Sequence, residues 1–126
     1  MQLYKTIWRY LQLKYMKNQP TEKEIENAIL DYLAFLPGCY WKNNTVGVYD
    51  PIKKVHRKPG KHHRNGVSDI LGVDGSGRFI AIEVKTVKGR VSENQKLFLE
   101  DINKHGGLGF VARSVDDVRR GLFGQD

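Results

Sequence analysis

The chain contains a single cysteine, Cys39, among its 126 residues. One cysteine excludes an internal disulfide and any zinc site built from several cysteines, and it is typical of a protein that stays inside the cell. Long apolar runs are also missing, since no stretch approaches the roughly 18 residues that a membrane-spanning helix needs. Residues 1–20 scatter basic side chains among aromatic ones, whereas a signal peptide keeps an uncharged centre. We therefore expect a cytoplasmic protein with no membrane association.

Acidic residues are scarce relative to basic ones, because 14 Asp and Glu stand against 21 Lys and Arg and give a formal charge of +7. Such an excess attracts a polyanion, either nucleic acid or an acidic membrane. A hydrophobic content of 40% fits a folded chain, and the length suits one domain with one core. The chain is therefore expected to carry one functional surface that meets a negatively charged partner.

The sequence divides at Pro20 into an N-terminal helical extension, residues 1–20, and a domain, residues 21–126. The extension predicts an amphipathic helix that packs on the domain, on a partner or on a membrane surface. Met16 leaves open whether translation starts there or at Met1. The apolar residues of this helix are Ile7, Tyr10, Leu11, Leu13 and Tyr15.

The domain alternates helical and extended patterns, and a capping box at Thr21 and Glu24 opens it. This order predicts an α/β fold with a mixed sheet covered by helices. The predicted elements are a helix from Thr21 to about Leu36, one or two short strands within 40–50, an exposed loop at 51–66, a hairpin at 67–85, a helix from Ser92 to about Lys104, a strand ending near Arg113 and a short helix capped by Ser114.

The hairpin carries charged residues where a buried strand would carry valine. Because side chains alternate across a strand, Glu83 and Lys85 point to the same face. Asp69 lies opposite Glu83 on that face if the connecting loop has an odd number of residues, and the glycine-rich residues 75–77 supply a loop of three. A loop of two or four residues would turn the two carboxylates to opposite faces unless a bulge intervenes.

Two carboxylates held a few ångströms apart repel each other unless a proton or a cation lies between them. Mg²⁺ takes one or two protein carboxylates and leaves its other positions to water and phosphate. With a lysine beside such an ion, the group suits phosphodiester hydrolysis. The alternative is a solvated sheet face on which Glu83 and Lys85 are ordinary surface residues, and the residues alone leave both open.

Two further features bear on that choice. Gln95 shares the inward, apolar face of its helix and can point at the hairpin, although Ser92 and Gln95 also form a capping box that needs no function. The loop at 51–66 carries basic residues that suit contact with a phosphate backbone. They are Lys53, Lys54, Arg57, Lys58, Lys61 and Arg64.

Together, the helix with Glu22 and the stretches "VSDILGV", "FIAIEVK", "VSENQKLFL" and "GGLGFVARSVDDV" resemble the VRR-NUC family of the PD-(D/E)XK nuclease superfamily. The resemblance covers Thr21 to about Val118, and the chain is similar to the compact, single-domain members found in phages and bacteria. It implies a restriction-endonuclease-like core made of a helix, three antiparallel strands, a second helix and a further strand.

By motif, the resemblance implies that Asp69 and Glu83 are ligands of Mg²⁺ or Mn²⁺, joined by the main-chain carbonyl of Val84. It implies that Lys85 is the catalytic lysine and that Gln95 is the helix glutamine that supports the site. "SD" stands where the superfamily has "PD", which leaves the aspartate in place.

The leading helix offers two candidates for a further catalytic carboxylate. Glu22 fits the family pattern best, because an apolar residue follows it three positions later. Glu26 lies one turn further on and stays an alternative.

The resemblance also implies a substrate and an assembly. Compact members are expected to be homodimers that cut branched DNA such as four-way junctions, and two sites related by a two-fold axis suit a symmetric junction. The basic loop would then contact backbone phosphates and not bases. No organic cofactor is expected.

Two rival interpretations belong to other classes. A non-catalytic nucleic-acid-binding module on the same fold would be expected to lose part of the charged group in the hairpin, which is complete here. A transition-metal or zinc site formed by His56, His62 and His63 would need a ligand spacing that these residues do not follow.

Overall fold

The computed structural model of the chain describes residues 2–14, 19–44, 49–56 and 60–124. Within these ranges lie four helices and six strands. The helices are α1 (Gln2–Lys14), α2 (Glu22–Leu33), α3 (Glu93–Lys104) and α4 (Val115–Phe123). The strands are β1 (Gly38–Lys42), β2 (Tyr49–Asp50), β3 (Val55–His56), β4 (Ile70–Asp74), β5 (Phe79–Val84) and β6 (Leu108–Ala112).

Four of the strands form the central sheet in the order β1-β4-β5-β6. β1, β4 and β5 pair antiparallel, and β6 pairs parallel to β5. A parallel pair needs a long crossover, and α3 provides it. The expected core of a helix, three antiparallel strands, a helix and a further strand is therefore confirmed.

The two faces of the sheet are covered by different helices. Because side chains alternate along β5, Ile80, Ile82 and Val84 join the larger core that α2, α4 and α1 cover. Ala81 faces the opposite side, where Phe98 and Leu99 of α3 pack against it. This alternation leaves Glu83 on the side of α3, so the position of that carboxylate follows from the period of the strand.

The β4–β5 hairpin has the predicted odd loop. The Asp74 N–H donates to the Arg78 carbonyl at 2.9 Å, and residues 75–77 connect the strands. Ile70 lies opposite Ile82, so continuing this register one step places Asp69 opposite Glu83. The expectation that both carboxylates share a face is confirmed.

Two predictions of secondary structure differ from the structure. The helix opened by Thr21 ends at Leu33 and not near Leu36, because the N–H groups of Phe35 and Leu36 bond to carbonyls three residues back, at 3.1 and 3.0 Å, as in a tighter 3₁₀ turn. The segment 51–66, expected to be an unstructured loop, contains β3, which pairs with β2 through Tyr49 and His56. Two-residue strands are too short to leave a periodic pattern.

The N-terminal helix packs on the domain. Leu11 is buried in the larger core, with Ile7 and Trp8 beside it. The prediction that Tyr10 lies on the apolar face is wrong, since Tyr10 is 64% exposed. The side chain of Leu13, and Tyr15 as a whole, lie outside the described residues. The division at residue 20 stays a prediction.

No helix within the described ranges has the length and the apolar character needed to cross a membrane.

Gly38 offers a test of the junction between α2 and β1. Its φ is +108°, and an added Cβ would lie 2.2 Å from the Val73 carbonyl oxygen across the strand pair. We expect Gly38→Ala to lower the free energy of unfolding by about 2 kcal/mol or more, measured by denaturant unfolding. Gly60→Ala is the control, because an added Cβ at Gly60 meets nothing within 4 Å. Equal effects of the two changes would contradict the described junction.

Candidate active site

Glu83 and Lys85 of the hairpin meet Gln95 of α3. The Glu83 side chain is almost completely buried at the end of β5, with 1% of the residue exposed. Gln95 Nε2 donates to Glu83 Oε2 at 3.2 Å, and Lys85 Nζ lies 3.8 Å from the same oxygen. The structure therefore places a carboxylate, an amide and an ammonium group together on one face of the sheet.

Asp69 is fixed from the neighbouring strand. It lies one residue before β4, and its Oδ2 accepts a hydrogen bond from the Val84 N–H at 2.8 Å. Its own carbonyl accepts from the Asn43 N–H at 2.7 Å, across the β1–β4 pair. Because its side chain and its main chain are both bonded, Asp69 is held beside Glu83 by the sheet itself.

Burial raises the pKa of Glu83 to about 9, and the neighbouring Asp69 carboxylate raises it further. The Lys85 ammonium acts in the opposite direction, and Glu22 raises this pKa further. In the described part of the chain, Glu83 Oε1 is buried and has no hydrogen-bond partner. The site therefore holds a carboxyl group that needs a proton or a cation.

The two sequence interpretations of Gln95 both apply. Its Oε1 accepts from the Ser92 N–H at 2.8 Å and its backbone N–H donates to Ser92 Oγ at 3.2 Å, which completes the capping box. With Oε1 engaged there, the amide NH₂ is directed at Glu83. The cap thus orients the group that contacts the carboxylate.

Glu22 and Glu26 lie in different surroundings. Glu26 is buried and pairs with Lys42 of β1, with Glu26 Oε1 3.1 Å from Lys42 Nζ. Glu22 is exposed in the first turn of α2, and its charge acts on Glu83. Glu26 is therefore neutralised by Lys42, whereas the charge of Glu22 adds a small increase to the pKa of Glu83.

Arg113 is a residue that the sequence did not indicate beyond marking a strand end. Its guanidinium group donates to the carbonyl of Thr86 and, at 2.8 Å, to that of Gly89. These carbonyls belong to the segment that follows Lys85 and leads to α3. Arg113 therefore holds the chain on the C-terminal side of Lys85 against the end of β6.

The basic residues of 51–66 are partly described. Lys53, Lys54 and Lys61 are exposed, whereas Arg57 and Lys58 lie outside the described residues. Arg64 is bound to α3, where Nη1 lies 2.6 Å from Asp101 Oδ2 and the guanidinium carbon lies 5.1 Å from the Phe98 ring centroid.

The basic segment is attached to α3 beside the site. Gly66 has a φ of +79°, and an added Cβ would lie 2.4 Å from the Asn94 carbonyl group. Only glycine allows the chain this close to the first turn of α3. The segment that carries Lys61 and Arg64 therefore contacts α3 at Asn94, the residue before Gln95.

The donor groups at Glu83 fit a divalent cation. Within the described ranges, no three His, Cys, Asp or Glu side chains are grouped so that they could hold a metal ion, which includes the histidines described there. Mg²⁺ nevertheless needs only one or two protein carboxylates. Asp69 and the unpartnered oxygen of Glu83 supply two, beside the main chain of Val84.

Comparison with known proteins gives one family. Residues 16–116 match the family model described as the VRR-NUC domain. No curated protein and no solved structure gives a significant match. The matched region covers most of the chain and includes every side chain placed around Glu83.

The buried carboxyl group predicts how stability depends on pH when metal is removed by a chelator. Glu83 has a pKa of about 9 in the folded chain and an ordinary one near 4.3 when unfolded. The stability it contributes is fully present below the unfolded pKa and is lost as the pH rises through the folded one. We therefore expect Glu83→Gln to raise the melting temperature at pH 8 and to flatten its dependence on pH.

Glu100→Gln is the control for this measurement, because Glu100 is an exposed acid on α3. It should leave the pH dependence unchanged. A melting temperature lowered by Glu83→Gln at pH 8 would contradict a protonated, buried Glu83.

Proposed function

The chain belongs to the VRR-NUC domain family, a nuclease family of the PD-(D/E)XK type, and we propose that it is a metal-dependent endonuclease that cuts branched DNA. The observation that carries the proposal is the buried carboxyl group of Glu83, with one oxygen that has no hydrogen-bond partner, beside the half-buried Asp69 and Lys85. A buried carboxyl oxygen without a hydrogen-bond partner destabilises a fold. Its retention next to a lysine supports a catalytic role.

The metal would be held by Asp69, Glu83 and the main-chain carbonyl of Val84. A bound Mg²⁺ or Mn²⁺ lowers the pKa of a water molecule and polarises the phosphodiester. Glu83 must lose its proton before it can act as a ligand, and Gln95 remains as a neutral donor that fixes the orientation of the carboxylate.

Lys85 would act on the substrate. Its side chain is only 14% exposed, so its charge is less screened than that of a surface lysine. At 3.8 Å from Glu83 Oε2, it can orient the attacking water and balance the negative charge that develops on the phosphoryl group. Arg113, which holds the next residues of the chain, would keep this ammonium in place.

Glu22 is our choice for the further acidic residue of the site. Its charge acts on Glu83, whereas Glu26 is paired with Lys42. In this position Glu22 would direct water at the opening of the site, on the side of α2.

We propose a homodimer acting on a four-way junction or another branched DNA, in the cytoplasm of a bacterial or phage-infected cell. The likeness to compact family members suggests the homodimer and the junction, and the excess of basic residues suits a nucleic-acid substrate. The exposed side chains of Lys53, Lys54 and Lys61 would contact backbone phosphates. The rival, a non-catalytic binding module, gives no reason to retain a buried Glu83 beside Lys85.

The first experiment compares a labelled four-way junction with a linear duplex of the same sequence, in Mg²⁺, in Mn²⁺ and in chelator. We expect metal-dependent cutting of the junction. Glu83→Ala and Lys85→Ala should each reduce the rate by at least about 10²-fold and leave binding largely intact, because phosphate contacts lie in the basic segment. Binding without cutting by the unaltered protein would favour the non-catalytic module.

A second prediction separates the two roles of Gln95. Gln95→Glu keeps the capping box, since glutamate also serves at that position, but it places a second negative charge at Glu83. We expect near-normal thermal stability in Mg²⁺ and a strongly reduced cutting rate. Gln95→Ala should lower both, because it removes the cap and the contact with Glu83. Full cutting by Gln95→Glu would show that the amide serves only the cap.

A further inference from the structure

Trp41 lies on the same face of the sheet as the carboxyl pair. Its neighbour Tyr40 packs into the core on the other face, against α2 and Gly72, so Trp41 points away from that core. Trp41 is the cross-strand partner of Leu71, which packs on the side of α3. Asp69 is two residues from Leu71 along β4, and such diagonal neighbours are about 7–8 Å apart.

The indole of Trp41 is open to solvent. The residue is 46% exposed, on a strand that pairs only with β4 in the described sheet. The helix on this face, α3, packs on β5 and β6. The other tryptophan, Trp8, differs, because it packs on the larger core with Arg119 5.2 Å from its ring.

Basic groups lie on the same side of the sheet. The segment carrying Lys61 and Arg64 leads directly into Asp69, and its Val67 packs with Leu71 and Phe98. Basic residues beside an exposed aromatic ring are an arrangement that proteins use for single-stranded nucleic acid, because the basic groups contact the phosphates and a base stacks on the ring. Lys61 is exposed here, whereas Arg64 is paired with Asp101. A base inside an intact duplex is already stacked on both faces and cannot use this ring.

We propose that Trp41 is a stacking platform for an unpaired base that lies next to the phosphate held at Asp69 and Glu83. The site would then prefer DNA that carries unpaired nucleotides at the cleavage position, such as a fork or a flap, over a four-way junction in which every base is paired. This inference rests on the proposed nuclease function and specifies the class of branch that the site accepts.

The test uses a Trp8→Phe chain, in which Trp41 is the only tryptophan, with Lys85→Ala to prevent cutting. Three probes share one sequence: a single-stranded octamer, a fork with unpaired arms and a blunt duplex. We expect the octamer and the fork to quench Trp41 fluorescence and the blunt duplex to leave it nearly unchanged.

Variants of the otherwise unaltered protein provide the second measurement. Trp41→Leu should weaken binding of the fork by about fivefold or more and leave binding of the blunt duplex unchanged, since stacking contributes per unpaired base. Phe123→Leu is the matched control, because Phe123 has the same exposure of 46% but lies on α4, behind the opposite face. It should bind the fork normally.

The inference would be overturned by equal quenching by the blunt duplex, by no quenching with any probe, or by unchanged binding of the fork by Trp41→Leu. A change in Trp41 emission with protein concentration alone would also overturn it, because a second copy would then cover the ring. Metal-dependent cutting that persists alongside any of these results leaves the nuclease function standing. Failure of the unaltered protein to cut both these probes and the four-way junction would instead remove the proposed function.

Discussion

The structure depends on placing one carboxyl group, that of Glu83, inside the protein. A buried carboxylate is costly unless it is neutralised or bound, and here the neighbouring Asp69 increases the cost. The fold nevertheless holds both groups, Asp69 through the Val84 N–H and Glu83 through the amide of Gln95. The proton that Glu83 carries in the absence of metal is the consequence of this constraint, and a divalent cation relieves the same conflict.

The elements around this pair each add one restraint. The hairpin places Asp69 and Glu83 on the same face of the sheet. The cap of α3 orients the Gln95 amide toward Glu83, and Arg113 fixes the segment that follows Lys85. Glu26 and Lys42 form a separate ion pair on the other face of the sheet. The site is thus built from secondary structure and caps, and not from a mobile loop, which favours a constant geometry for its charged groups.

The sequence was sufficient for the features that depend on local chemistry. The odd loop at 75–77 predicted that Asp69 and Glu83 share a face, and the caps at Thr21 and Ser92 predicted where two helices begin. Long-range pairs left no such pattern. No sequence pattern predicts that Arg113 bonds to Thr86 or that Lys42 pairs with Glu26. Our choice of Glu22 over Glu26 therefore depends on the folded arrangement. The short β2–β3 pair and the tightened end of α2 were missed because neither follows a repeating period.

The parallel pairing of β5 with β6 has a consequence for the order in which the site forms during synthesis. Glu83 and Val84 lie opposite Val111 and Ala112, and Arg113 follows at once, so the flank of β5 is made from residues translated well after it. A nascent chain that ends before residue 108 leaves β5 at an open edge, with Glu83 accessible to water and the segment after Lys85 unsupported. The supports that flank Glu83 and the segment after Lys85 are therefore complete only when β6 and Arg113 have been added.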